Sequence, residues 1–329
     1  MKQRLLPFTF KYGALIFIGL VILFFSFQSE YFFTYSNITD ILRSISIVTF
    51  VAIGVTISLT VDGFDLSVGA TVSLATVLTA TLMVWWELPL VWVLVIPLLV
   101  GAAVGLLNSL LIVVIRIPDL LATLAVMYIV TGIHKYWTKG YSIYNNMPLT
   151  DGSTAPGVMD ERFLWIGQGK LFGVPFPVIL MLLAVVAAHV FFKYTRWGRQ
   201  MIMTGGNEEA ARLSGLKVKK VRVLAYVASG VFAAIGGMLF AARIGSGQID
   251  AGAPMLMESV AAVFVGYSVF AAGRPNVIGT FFGAVLMGVL VNGLTMMNVP
   301  YYMNDIIKGT VLVLALAVTF IHLKRRKTG

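Results

Sequence analysis

Long apolar stretches alternate with short polar ones along the whole chain. The apolar stretches fall near 12–33, 44–61, 66–84, 90–115, 117–137, 174–194, 222–243, 255–272, 276–298 and 303–323. About 20 mostly apolar residues in a helix cross a hydrocarbon core of roughly 30 Å. Lipid offers no partner to backbone N–H and C=O groups, so helices are expected rather than open strands. The pattern therefore predicts an all-α protein, a polytopic transmembrane bundle of about ten spans forming a single domain over 1–329. The first stretch is long and is followed by no small-residue cleavage site. It reads as a retained anchor rather than a signal peptide.

Composition agrees with a membrane protein. Of the residues, 59% are hydrophobic and 12% charged, and the mean hydropathy is +0.92. A soluble domain carries roughly a quarter charged residues. The net charge is +10, but the basic residues lie between apolar segments, where topology explains them better than a nucleic-acid footprint does. With the N-terminus inside, the inward loops and tails hold Lys2, Arg4, Lys11, Arg116, Lys193, Arg196, Arg199, Arg212, Lys217, Lys219, Lys220, Arg222, Arg274, Lys324, Arg325, Arg326 and Lys327. The longest outward loop, about 138–173, sets Lys139, Arg162 and Lys170 against Asp151, Asp160 and Glu161. Both termini are thus expected in the cytoplasm, as an even number of crossings requires. The outward loop either caps a pathway or simply connects two spans. The chain has no cysteine, which excludes disulfides, thiol catalysis and cysteine-ligated metal. His134, His189 and His322 are too scattered for a metal cluster, and no cofactor or metal is expected.

A faint internal echo links "GAAVGLLNSLLIVVIRIP" (101–118) with "GAVLMGVLVNGLTMMNVP" (283–300). Both begin Gly-Ala and end aliphatic-Pro, so a weak duplication and shared helix packing explain them about equally well.

The largest inward loop is 195–221, and its "GGNEEAARLSG" reads as a short helix with both ends marked. Asn207 is a good N-cap, and Glu208 and Glu209 lie in the first turn, where the helix dipole favours negative charge. Gly215 is placed to end the helix in a left-handed conformation. Glu208 and Arg212, four apart, are expected to pair. Ala210, Ala211, Leu213 and Leu216 supply a small apolar surface. So short a helix needs support, either from its own bundle or from a partner.

Here a resemblance becomes specific. "EAARLSG" fits the Glu-Ala-Ala followed by Gly pattern of the coupling loop in ATP-binding-cassette importer permeases, and "TRWGRQMIMTGGNEEAARLSGLKVKKVRVLAYVASG" resembles their ribose-type sugar permease subfamily. "DGFDLSVGA" (62–70), "RIPDLLATLAVMYIVTGI" (116–133), "VIGTFFGAVLMGVLVNGLTMMNVP" (277–300) and "DIIKGTVLVLALAV" (305–318) resemble further segments of that family. Asp62 stands where the family's signature has glycine, and Gly266-Tyr267 and Ala272-Gly273 stand where it has glycine pairs. The resemblance implies the membrane subunit of a bacterial inner-membrane importer of a small sugar-like solute. Its implied partners are a second permease subunit, identical or different, a cytoplasmic ABC ATPase and an external, periplasmic solute-binding protein. Gly206, Asn207, Glu208, Glu209, Ala210, Ala211, Arg212 and Gly215 would engage the ATPase.

Other polar positions are candidates for a translocation pathway. Asp62 and Asp65 sit at the junction of the second and third spans, with Gly63 and Gly69 permitting a broken backbone. A charge at a helix centre costs about 2.5–3.5 kcal/mol on insertion scales, so both carboxylates need water, a cavity or a partner. The Asp65-Leu66-Ser67 run either lines the pathway, together with Gly63 and Phe64, or caps the third span. Glu258 near the start of the eighth span, and Asn108 and Asn292, are the remaining candidates, although such asparagines more often join helices. Trp85, Trp86 and Trp92 read as packing or interfacial anchors. No Gly-x-x-x-x-Gly-Lys-Ser/Thr loop is present, and "GSGQIDAG" (245–252) reads as a flexible outward turn. An ion-coupled secondary transporter would want carboxylates deep within the spans, and an intramembrane enzyme would want paired catalytic groups. Import of nucleosides or branched-chain amino acids is the alternative within the same class.

Overall fold

A computed structural model describes residues 2–149, 151–269 and 274–327. The helices in chain order are α1 (Lys2–Gln28), α2 (Tyr35–Thr60), α3 (Ser67–Val84), α4 (Leu90–Ser109), α5 (Asp119–Trp137), α6 (Glu161–Gln168), α7 (Phe176–Tyr194), α8 (Arg196–Gly206), α9 (Glu208–Leu213), α10 (Val218–Ile244), α11 (Gly252–Ser268), α12 (Val277–Met296) and α13 (Tyr301–Lys327). Each of the ten apolar stretches overlaps one of these helices. Among the described residues, seven helices are long and apolar enough to cross a membrane, and Leu15–Gln28 and Gly252–Tyr267 are shorter apolar segments.

The bundle is built around α3. All of its residues are buried, so no part of it meets lipid. Its four buried threonines Thr71, Thr76, Thr79 and Thr81 donate back to Ser67, Val72, Ala75 and Val77 carbonyls of the same helix, at 2.6–2.9 Å. That internal bonding lets polar side chains sit where neither water nor lipid can serve them. Helix α10 packs on α2, α3 and α4, and α11 packs on α12 and α13. The α4–α10 crossing is close because glycines face each other. A Cβ on Gly105 would meet the Tyr226 carbonyl and lie 2.6 Å from the Val227 Cα, and one on Gly101 would lie 2.7 Å from the Ala234 Cβ. Small residues four apart are what allow such approach in a membrane.

The two segments of the internal echo pack differently. Gly101 lies on α10, whereas Gly283 lies on Ala262 of α11. The first runs on into a π-helical turn, Leu110–Ile115, and the second remains regular α-helix to Met296.

One end of the bundle gathers the 138–173 loop and the 245–251 turn. Two short strands, β1 (Ile143–Tyr144) and β4 (Ser246–Gly247), pair antiparallel and tie the two segments together. Lys135 Nζ lies 2.8 Å from Asp250, and His134 Nε2 lies 3.0 Å from the Ile249 carbonyl. The 245–252 segment is therefore pinned, not free as a flexible turn would be. The 138–173 loop carries more order than a simple connection: α6 lies within it, and β2 (Lys170–Leu171) pairs with β3 (Val174–Pro175). Asp160 caps α6, and the hydrogen bond from Arg162 holds its carboxyl below the usual carboxylate range.

Helix boundaries correct two expectations. Helix α2 begins at Tyr35 rather than 44, and α10 begins at Val218 rather than 222, so Lys219 and Lys220 are helical rather than loop residues. The 195–221 segment also contains a second helix, α8. Thr195 caps it by accepting from the Gly198 amide at 3.1 Å, and it packs on α7. The Ala272-Gly273 pair and the side chains of Lys2, Arg4, Lys11 and residues 324–327 lie outside the described residues.

Candidate functional site

The opposite end of the bundle brings together two features: the backbone break between α2 and α3, and the short helix α9. The break begins where Ser58 and Leu59, carbonyls that α2 leaves open, accept from Gly63 and Asp62 amides at 3.0 and 3.1 Å. Asp62 adopts φ +57°, left-handed, and is exposed. That conformation costs an L-residue roughly 1–2 kcal/mol, less for Asp and nothing for glycine. It gives a physical reason for a glycine at this position.

Asp65 turns the other way, into the protein, and is 1% exposed. Its Oδ1 accepts from the Ser67 amide at 3.0 Å and the Ser67 hydroxyl at 2.6 Å, with Asn108 Nδ2 at 3.3 Å. Its Oδ2 accepts from the Ser229 hydroxyl at 2.8 Å. Asn108 also donates to Ser67 Oγ at 2.7 Å, while its own Oδ1 is buried with no protein partner. One carboxylate thus gathers α3, α4 and α10 around the break. Such a group is tolerable at depth only because its lone pairs are taken.

Gly63 leaves room for a second polar group. A Cβ there would collide with the Tyr226 hydroxyl and lie 2.9 Å from Asp119 Oδ2. Tyr226 donates to Asp119 Oδ2 at 2.6 Å, and Arg222 Nη2 reaches the same carboxylate at 2.7 Å to Oδ1. Thr123, one turn along α5, donates to the Phe64 carbonyl at 3.0 Å.

Helix α9 has the caps its sequence predicts. The Asn207 side chain accepts from the Ala210 amide at 2.9 Å, and Gly215 ends the helix with φ +82°. The acidic residues, however, pair otherwise than expected. Arg212 bonds Glu209 at 2.8 Å, three residues back, and Glu208 instead meets Arg222 Nη1 at 3.1 Å. Glu208 turns toward the bundle because α10 starts early enough to put Arg222 beside it. Ala211 is the buried contact of the helix, whereas Glu209, Arg212 and Leu213 face outward, Leu213 with 80% exposure. Of the remaining apolar residues, Ala210 is exposed and Leu216 half-buried. Gly206 lies at the end of α8; its neighbour Gly205 packs against the Thr60 carbonyl and the Asp62 amide. A cleft of about 740 Å³ opens beside α9, lined by Arg116, Asp119, Arg212, Lys217 and Lys220 among others.

The structure thus brings Asp62, Gly63, Phe64, Asp65, Ser67 and Asn108 to one place and sets α9 nearby. Glu258 and Asn292 lie elsewhere. Glu258 pairs with Lys308 of α13 at 2.6 Å, both side chains being nearly enclosed, and Asn292 donates to Asn37 of α2 at 2.8 Å. Arg222, Tyr226, Ser229, Asp119 and Lys308 are the residues that sequence reasoning missed. A signal existed for three of them, because Arg222, Tyr226 and Ser229 recur at i, i+4 and i+7 in an apolar helix and so share one face.

A family model described as the permease component of a branched-chain amino acid transport system matches residues 37–316. The chain belongs to this permease family. The permease is similar to the ribose import permease protein of Escherichia coli (strain K12), with 33% identity over 93% of this chain and 92% of the relative. It is 32% identical to the ribose import permease protein of Bacillus subtilis (strain 168), over 93% and 91% of the two chains. Against the galactose/methyl galactoside import permease protein of Escherichia coli (strain K12), identity is 31% over 99% and 98%. No solved structure matches the chain. The permease is a transport component rather than an enzyme, and a multi-pass membrane protein.

Proposed function

We propose that this permease is the membrane-spanning subunit of an ATP-driven, binding-protein-dependent importer of a monosaccharide or related small polar solute in a bacterial inner membrane. Two permease subunits form the pathway, a cytoplasmic ABC ATPase drives them, and an external solute-binding protein delivers the solute. Ten crossings with both termini in the cytoplasm fit the distribution of basic residues. The pinned 138–173 and 245–251 segments then face outward, and α8 and α9 face the cytoplasm.

The observation that carries the reading is α9. It is a six-residue helix, capped at both ends, that buries one alanine and turns Glu209, Arg212 and Leu213 away from its own bundle. A helix this short has little stability of its own. An outward surface of charge and leucine on so short an element suits a cleft in another protein better than it suits water. In this reading α9 receives the motion of the ATPase, and the break at 61–66 beside α3 responds to it. The family description favours branched-chain amino acids as solute, whereas the sugar permeases above match along nearly their whole length.

Reconstitution with the ATPase and binding protein tests both points. Labelled ribose or galactose is expected to accumulate with ATP, and labelled leucine is not. Glu209→Lys is expected to abolish uptake while the inserted complex still hydrolyses ATP. Normal uptake by that variant contradicts the coupling role, and leucine uptake without sugar uptake contradicts the solute class.

A further inference from the structure

Between α9 and the backbone break lies a single guanidinium with two different environments. Arg222 Nη1 faces Glu208 on α9, whose side chain is 57% exposed. Arg222 Nη2 faces Asp119 on α5, and here both side chains are largely enclosed, at 17% and 18% exposure. The outer contact lies in water, where an ion pair is weak and easily exchanged. The inner contact is charge-assisted, two-oxygen and shielded, so it holds its geometry.

What the inner contact holds is the break itself. Asp119 accepts from Tyr226 at 2.6 Å, and that hydroxyl and carboxylate together close the space over Gly63. Thr123 Oγ1 lies 2.9 Å from the Asp119 carbonyl and 3.0 Å from the Phe64 carbonyl, so its single proton is shared between the two. One residue further on, Asp65 is gripped by Ser229, which shares the α10 face with Arg222 and Tyr226. Hydrogen bonds therefore run from α9 through Arg222 to Asp119 and, by way of Thr123, to the Phe64 carbonyl. Gly63 is packed under Tyr226 and Asp119, and Asp65 is held to the same face of α10.

We propose that Arg222 is the positioning residue that transmits displacement of α9 to the 61–66 break. This role rests on the reading of α9 as the element the ATPase moves. The outer contact makes and breaks as α9 shifts, while Arg222, Asp119, Tyr226 and the break move as one body. Arg222→Lys keeps the charge but loses the fork that spans Glu208 and Asp119. Glu208→Gln weakens only the outer arm and leaves the enclosed pair intact, so it reports on transmission even if Arg222→Lys fails to insert.

The test is made on the reconstituted complex of permease, ATPase and binding protein, reading ATP hydrolysed per solute imported. Coupling energies between sites correspond to roughly 5–150-fold effects. Arg222→Lys is expected to raise that ratio by about tenfold or more with ATPase binding and thermal unfolding close to wild type, and Glu208→Gln by a few-fold. Asp250→Asn, at the opposite end of the bundle, is the control and leaves the ratio unchanged. The proposal is overturned if both variants keep the wild-type ratio. It is equally overturned if Arg222→Lys inserts but loses uptake and ATPase binding together, because the residue then only docks the partner. Glu209→Lys in parallel separates the two claims. If it uncouples and Arg222→Lys does not, the route fails while the role of α9 stands; if it transports normally, the reading of α9 fails first.

Discussion

Asp62 and Asp65 are three residues apart and meet opposite solutions to the same problem. Asp62 stays in water and adopts a left-handed backbone, whereas Asp65 is buried and has both oxygens engaged. That these carboxylates needed water or a partner was legible in the sequence, because an unpaired charge cannot stay at membrane depth. Which partners would serve was not, since Ser229 is 164 residues away and only the packing of α10 brings it there. Arg222 escaped for a related reason: counted among inward-facing cations, it looked like a topological marker rather than half of an enclosed ion pair. Asp65→Ala is expected to impair uptake strongly and to lower thermal stability, because buried donors left unpaired cost about 1–3 kcal/mol. Asp40→Ala, which removes a half-exposed partner 3.5 Å from Arg43, is expected to change either by little. Equal uptake by the two variants in proteoliposomes would contradict a role for Asp65 at the break. At Asp62, Gly is expected to keep stability within about 0.5 kcal/mol. Val is expected to cost about 1–2 kcal/mol in thermal unfolding, because a β-branched side chain fits the left-handed region poorly.

Among the elements, α9 was legible and α8 was not. The Asn207 cap, the acidic first turn and Gly215 are local signals that act within one or two helical turns. The sequence "RWGRQMIMTGG" of α8 is short, rich in arginine and ends in two glycines, so it reads as part of a polar loop, and its packing on α7 and α2 is not displayed by a single sequence. The boundary of α10 moved for a similar reason: Lys219 and Lys220 are good helix formers, and hydropathy alone places them outside a span. Asn207→Ala removes a cap worth about 1 kcal/mol and is expected to reduce uptake without affecting insertion of the bundle. Gly215→Pro, which forces φ to about −65° where the backbone needs +82°, is expected to abolish it. Wild-type uptake by both variants would show that the form of α9 is irrelevant to transport. The α4–α10 crossing gives a separate test. Gly105→Ala is expected to lower stability by about 1–3 kcal/mol, since its Cβ would press on the α10 backbone, while Gly132→Ala meets open space and is expected to be neutral in thermal unfolding.

For the molecule as a whole, the apolar stretches carried most of the architecture, because a spanning helix must be written as one uninterrupted run. What they could not carry was the arrangement: that α3 is enclosed on every side, that β1 and β4 tie two distant segments together, and that α5 and α10 close over the break. These are contacts between elements far apart in sequence. The similarity to sugar permeases runs through nearly the whole chain. The chain lacks cysteine, and a single introduced thiol therefore reports on one position without background from this subunit. The most direct measurement places that thiol at Leu213→Cys, the most outward side chain of α9, and cross-links the intact complex in native membranes. The expected product joins the permease to its ATPase, and its yield changes when ATP binds. A thiol at 213 that reacts only with reagents on the external face, or that never joins the ATPase in any nucleotide state, would contradict the account.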